Sequence, residues 1–214
     1  MTHYPLIVFT DFDGTITKNE TLEEFVQLFM DENIQTVAQK LLDSGYSIKE
    51  GVKKIISSIP TEQYKQNRNF FQGLPIRSGF TEFVNFLHSK NIPLVVLSGG
   101  IKEMLTVNLA PYMEGILDYY AGEVDLSGAT VRLWSNYETD YELVGKCEIM
   151  SLYSYDKSIC IGDSYTDFRV AVHSDIIFAR DRLAEKMKES KQTYFEYDTF
   201  YDIIQILEKE LLVK

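Results

Sequence analysis

Four short apolar segments, spaced far apart along the chain, set the fold. Leu6-Ile-Val-Phe-Thr10, Pro93-Leu-Val-Val-Leu97, Ser158-Ile-Cys-Ile161 and Asp175-Ile-Ile-Phe-Ala179 are rich in β-branched residues and show little polar alternation. A strand without alternation is buried on both faces, as in a parallel sheet covered by helices. Stretches of helical period separate these runs. Strands alternating with helices build βαβ units, so the expectation is an α/β fold with a doubly wound, mainly parallel, Rossmann-like sheet.

One region breaks the alternation. From about Asn19 to Phe71 no strand pattern occurs. Leu22, Phe25, Val26, Phe29 and Met30 form one apolar helical stripe. Ile34, Val37, Ala38, Leu41 and Leu42 form a second, and Val52, Ile55, Ile56 and Ile59 a third. Thr21 with Glu24, and Ser47 with Glu50, have capping-box spacing. Gly45 falls where a left-handed cap is expected, Pro60 stops the third helix, and a fourth is predicted from Thr61 to about Phe71. A crossover this long is more than a connector. It predicts a small helical-bundle cap domain, residues 17–75, inserted into an α/β core made of residues 1–16 and 76–214. Within that core, Ser78 is expected to cap a helix carrying Phe80, Phe83, Val84 and Leu87. Leu126-Ser-Gly128 should turn a hairpin between Asp118 and Trp134, and Phe200 to Leu212 reads as a final amphipathic helix.

Three strands end in residues suited to hard cations or phosphate. Asp11-Phe-Asp-Gly-Thr15 follows the first run. Its two carboxylates point the same way if the chain stays extended, and Gly14 lets the backbone turn behind them. Ser98-Gly-Gly100 follows the second run and offers a hydroxyl with exposed N–H groups. Gly162-Asp-Ser-Tyr-Thr-Asp167 follows the third, with Asp163 at the strand end and Asp167 about one helical turn on. Each motif alone also fits an ordinary polar turn. A parallel sheet, however, brings all three ends to one edge, where α/β ligand sites form. Asp11, Asp13 and Asp163 would then make an oxygen cluster suited to Mg²⁺. His3, His88 and His173 are too scattered for zinc. A phosphate beside the cluster needs a cation of its own. Lys157 lies at the entry side of the third strand, about 15–20 Å from Asp163 at roughly 3.3 Å per residue. Lys146 opens the preceding helix, whose N-terminus lies near the carboxyl edge, and is the expected phosphate ligand.

Composition narrows the partners. Against 21 Lys+Arg stand 32 Asp+Glu, a formal net charge of −11. That field argues against nucleic acid, but not against a small anionic substrate beside a metal. The two cysteines, Cys147 and Cys160, cannot staple 214 residues. Together with the lack of a spanning or signal-like apolar run, they lead to the expectation of a cytoplasmic protein without membrane contact.

In their order, Asp11-Phe-Asp-Gly-Thr15, Ser98-Gly-Gly100, Lys146 and Gly162-Asp-Ser-Tyr-Thr-Asp167 resemble the four motifs of the haloacid-dehalogenase (HAD) phosphatases. The helical insertion resembles the cap of the phosphoserine-phosphatase-like branch. The resemblance implies that Asp11 is the nucleophile and that Asp13 is the general acid and then base. It implies that Mg²⁺ is held by Asp11, the Asp13 main-chain carbonyl and Asp163, with Asp167 in support. Ser98, the Gly99 amide and Lys146 would hold the phosphoryl oxygens of a small-molecule phosphate ester. Glu20 matches a cap carboxylate that meets the substrate ammonium in phosphoserine phosphatases. Their cap arginine aligns near Ile55, leaving Arg68 and Arg77 as replacements. Ser47-Ile-Lys-Glu-Gly-Val52, Ile76-Arg-Ser-Gly-Phe80 and Phe178-Ala-Arg-Asp181 are similar to the methionine-salvage enol-phosphate phosphatases, which implies that substrate; the stripe of Phe25, Phe29 and Met30 is expected as helix-bundle core, with a thioether pocket as the alternative. Phosphoserine or another small metabolite is the alternative. A different class, a phosphate-accepting regulatory domain, shares the acids, hydroxyl and lysine, but lacks the second aspartate and a cap.

Overall fold

The computed structural model describes residues 2–30 and 34–212; at Ile34, Gln35, Ala38, Leu42, Leu211 and Leu212 it describes the backbone alone. Among the described residues the sheet has seven strands in the order β4-β3-β2-β1-β5-β6-β7. These are β1 (His3–Thr10), β2 (Leu94–Ile101), β3 (Asp118–Asp125), β4 (Arg132–Trp134), β5 (Ser154–Gly162), β6 (Ile176–Ala179) and β7 (Phe195–Glu196). All neighbours run parallel except β3 and β4, which form the predicted hairpin. β1 lies between β2 and β5, so the chain winds outward from it in both directions. That reversal point is where ligands bind in such sheets.

The strand interiors carry the core. Ile7, Val8, Phe9, Leu94, Val95, Val96, Leu97, Ile159, Cys160 and Ile161 are all buried, as unalternating runs require. Helices α5 (Phe80–Ser89), α6 (Lys102–Leu109), α7 (Lys146–Met150), α8 (Phe168–Val172), α9 (Asp181–Glu189) and α10 (Phe200–Leu212) flank the sheet. None of the described helices is long and apolar enough to cross a membrane.

The helical insertion after β1 contains α1 (Thr21–Met30), α2 (Ile34–Asp43), α3 (Ile48–Ser57) and α4 (Thr61–Gln66). The box of Ser47 and Glu50 caps α3 as predicted, and Gly45 adopts φ +81° behind α2. Val26, Val37 and Ile55 form a small core of their own with Leu22, Met30 and Leu41 around it. The side chains of Ile34, Ala38 and Leu42, expected in the second stripe, lie outside the described residues. The predicted fourth helix breaks at Asn67, where α4 gives way to a 3-10 turn over Arg68–Phe71. The Asn67 side chain donates to the Gln63 carbonyl and so competes with helix continuation. Phe25 packs 4.5 Å from Phe29, and Phe25 also meets Tyr64, Phe70 and Phe71. Phe25, Tyr64 and Phe71 are buried in the main core, continuous with that of the sheet, and Phe29 and Phe70 pack against it.

The expected cap Ser78 is displaced by its neighbour. Gly79 is the N-cap of α5, in a left-handed conformation, and the Ser78 carbonyl accepts from the Phe200 N–H instead. A Cβ at Gly79 would lie 2.8 Å from the Tyr201 backbone nitrogen. Gly79→Ala is therefore expected to cost about 1–3 kcal/mol from backbone strain, seen as a lower urea midpoint. An unchanged midpoint would contradict this account of the α5–α10 contact.

Candidate active site

The site sits at the carboxyl edge of β1, β2 and β5. Asp11 follows β1 directly, and its N–H still donates to the Ile161 carbonyl at 2.9 Å. This bond holds Asp11 in register beside the end of β5, where Asp163 emerges. Lys146 opens α7 behind Gly145, and its ammonium is buried. It donates to Asp11 at 2.5 Å and to Asp167 at 2.6 Å. The other Asp167 oxygen accepts from the N–H groups of Asp163, at 3.2 Å, and Ser164, at 3.0 Å. Lys157 is exposed on β5, and Lys146 is the one of the two that lies at this edge.

Buried carboxylate oxygens of Asp11, Asp163 and Asp167 lie within 4.8 Å of one another. This differs from the expected trio of side chains, because Asp13 turns away. The chain leaves extended geometry after β1, and Gly14 takes φ +75°. Side chains two residues apart then no longer share a face. The Asp13 carboxylate instead accepts from the Thr21 hydroxyl, across in the helical insertion, and from Ser98 Oγ at 3.0 Å. Thr21 is thus the first residue of α1 rather than its cap, and Glu24 accepts from Asn19 at 3.0 Å. The capping box expected there does not form.

Ser98, Gly99 and Gly100 lie within β2, where the pairing with β3 slips register between Leu97 and Ile101. Such an irregularity re-aims a strand end. Ser98 is buried, accepts from the Gly100 N–H at 2.9 Å and faces Asp13, while Gly99 is exposed. Glu20 is at the exposed rim, close enough to Asp13 for their charges to interact.

The electrostatics ask for a further cation. Four carboxylates, Asp11, Asp13, Asp163 and Asp167, crowd one ammonium. Burial, then the charge of Asp167, pushes the Asp11 carboxyl well above its usual range despite Lys146. Asp163 is pushed up to about 8, again by burial and then Asp167. Burial raises Asp13 as well, against the bonds from Thr21 and Ser98. Lys146 loses hydration by burial, yet Asp11 and Asp167 hold its ammonium above the ordinary lysine range. A ring of buried carboxylate oxygens with excess negative charge fits a small hard divalent ion.

Two arginines considered for substrate binding are occupied elsewhere. Arg68 pairs with Glu103. Arg77 is buried against backbone carbonyls of Gly14, Thr15 and Thr17. Thr15 and Thr21 were not legible as site residues. Thr15 Oγ1 donates to Asp163 at 2.8 Å, and its place in the first motif was the available signal. For Thr21 the capping pattern pointed elsewhere.

No protein-family model matches the chain. It is 36% identical over 205 residues, 94% of this chain and 97% of the relative, to a 2-hydroxy-3-keto-5-methylthiopentenyl-1-phosphate phosphatase of Microcystis aeruginosa. A protein of the same name from Bacillus mycoides is 33% identical over 218 residues, 97% of this chain and 98% of the relative. Among solved structures, a substrate-bound phosphoserine phosphatase complex superposes with a TM-score of 0.70 at 14% identity, covering 96% of this chain and 99% of the other. That likeness is one of fold.

The raised carboxyls fix the sign of a pH effect. Between its unfolded value of 3.8 and about 8, Asp163 binds more protons folded than unfolded. Stability of the metal-free protein should therefore fall as pH rises through that window. Urea midpoints at pH 5 and pH 8 should drop for the parent chain, and drop less for Asp163→Asn. Equal slopes in the two proteins would contradict the shift.

Proposed function

The chain belongs to the family of 2-hydroxy-3-keto-5-methylthiopentenyl-1-phosphate phosphatases, and on that premise we propose that it hydrolyses this enol phosphate with Mg²⁺ through an aspartyl-phosphate. The observation that carries the proposal is the convergence of Asp11, Asp163, Asp167 and Lys146 at one sheet edge, with Asp13 and Ser98 beside them.

In this reading an Asp11 oxygen attacks phosphorus in line, and the ester oxygen leaves with a proton from Asp13. Asp13 then takes a proton from the water that opens the acyl phosphate. Ser98 and Thr21 hold its carboxylate in reach of that oxygen, and burial keeps its proton affinity high enough for both half-reactions. Ser98, the Gly99 amide and Lys146 hold the phosphoryl oxygens. The Asp11 and Asp163 carboxylates and the Asp13 carbonyl are the proposed Mg²⁺ ligands, with Asp167 in support. When bound, Mg²⁺ neutralises charge on the transferring group.

Residues 17–75 act as a cap over the core of residues 1–16 and 76–214. Its two linkers are hydrogen-bonded together, Lys18 N–H to the Pro75 carbonyl at 2.8 Å and Arg77 N–H to the Ile16 carbonyl at 2.8 Å. Glu20 faces the substrate from the cap side. The engagement of Arg68 with Glu103, and of Arg77 with the backbone, favours an ester without the carboxylate of phosphoserine, which a free arginine fork would read.

Phosphate release from the enol phosphate and from phosphoserine, with Mg²⁺ and with EDTA, tests this. We expect Mg²⁺-dependent turnover, with the larger kcat/KM for the enol phosphate. Asp11→Asn should lower kcat on the order of 10⁴-fold or more while its circular dichroism is retained. A single stoichiometric burst without turnover would favour the regulatory class, and a preference for phosphoserine would overturn the substrate.

A further inference from the structure

Arg77 is a buried cation held by neutral partners. It is only 8% exposed, and among the described residues no carboxylate pairs with it. Its donors go to backbone carbonyls. Nε reaches Thr15 at 2.7 Å, Nη2 reaches Gly14 and, at 3.2 Å, Thr17, and Nη1 reaches Asp198 at 3.4 Å. Taking a guanidinium out of water for neutral partners is costly, and here the cost is offset by bonds to four backbone carbonyls that an apolar residue would leave without this donor. Its gain is geometric.

The geometry has one direction. Gly14 and Thr15, whose carbonyls Arg77 holds, are also the residues that touch Asp163. Thr15 Oγ1 donates to Asp163 at 2.8 Å. Gly14 packs so tightly that a Cβ would collide with the Asp163 carboxylate. A peptide unit is planar and rigid, so fixing these carbonyls fixes the planes from which the Thr15 side chain reaches out. We propose that Arg77 is a positioning residue for the cation site, orienting the Asp163 carboxylate through Gly14 and Thr15. The inference rests on the reading of Asp163 as a Mg²⁺ ligand. A flexible lysine, with its donors on one atom, cannot span the same carbonyls.

Mg²⁺ binding to the full chain, measured by calorimetry without substrate, tests it. Arg77→Lys keeps the charge and Arg77→Met removes it. Each should bind Mg²⁺ about 10–100-fold more weakly than the parent chain, the usual range for losing a partner of a metal ligand. Thr15→Ala should weaken binding too, and combining it with Arg77→Lys should lose less than the product of the single effects, because both act through one contact. A role confined to stability would lower the melting temperature and leave the Mg²⁺ affinity of the folded protein in place. Folded Arg77→Lys binding within about 2-fold of the parent chain, or losses that multiply, would overturn the inference alone. No Mg²⁺ binding by the parent chain would overturn the metal reading and this inference with it.

Discussion

The contact on which the rest depends is the buried ammonium of Lys146 between Asp11 and Asp167. Such a group survives burial only with its charges matched and its donors used. The fold supplies two carboxylates by geometry, and they take two of the three N–H donors. Parallel pairing of β1 with β5 places the ends of two strands side by side, and α7 runs back toward the same edge to deliver the lysine. One ammonium nevertheless does not balance four carboxylates. The excess is one that a divalent cation could offset, and the raised proton affinity of Asp11 and Asp163 expresses the same deficit.

The helical insertion is tied into this chemistry at both ends. Thr21, in the first turn of α1, donates to Asp13, so the insertion supplies a partner to the residue proposed as acid and base. Farther on, Thr61 donates its N–H to Ala129 at 3.0 Å and its hydroxyl to Gly128 at 2.7 Å, while the Val131 N–H reaches Ile59 at 3.0 Å. These bonds dock the insertion on the β3–β4 hairpin. Lys49 and Lys53 both meet Glu138, in the segment that leads to Lys146. Packing of the insertion and placement of Lys146 thus share a boundary.

Much of this was legible in the sequence, and the limits follow from physics. Unalternating, β-branched runs such as Leu6 to Thr10 read as strands covered on both faces, so the sheet followed. Lys146 and Lys157 could be ranked because a helix preceding a parallel strand runs opposite to it. The orientation of Asp13 could not be read, since it depends on where β1 stops and on the left-handed turn at Gly14. The same holds for Arg77. Its spacing resembles that of a surface arginine, and only the fold reveals four carbonyls around it. At Ser78 and Thr21, local capping preference gave way to tertiary contacts with Phe200 and Asp13.

The most direct test of the central claim is to quench the protein in acid during turnover and locate the phosphoryl group by peptide mass mapping. The account predicts a labile acyl phosphate on Asp11, formed only when Mg²⁺ is present. Turnover with no label on Asp11, or with the label on another side chain, would contradict it.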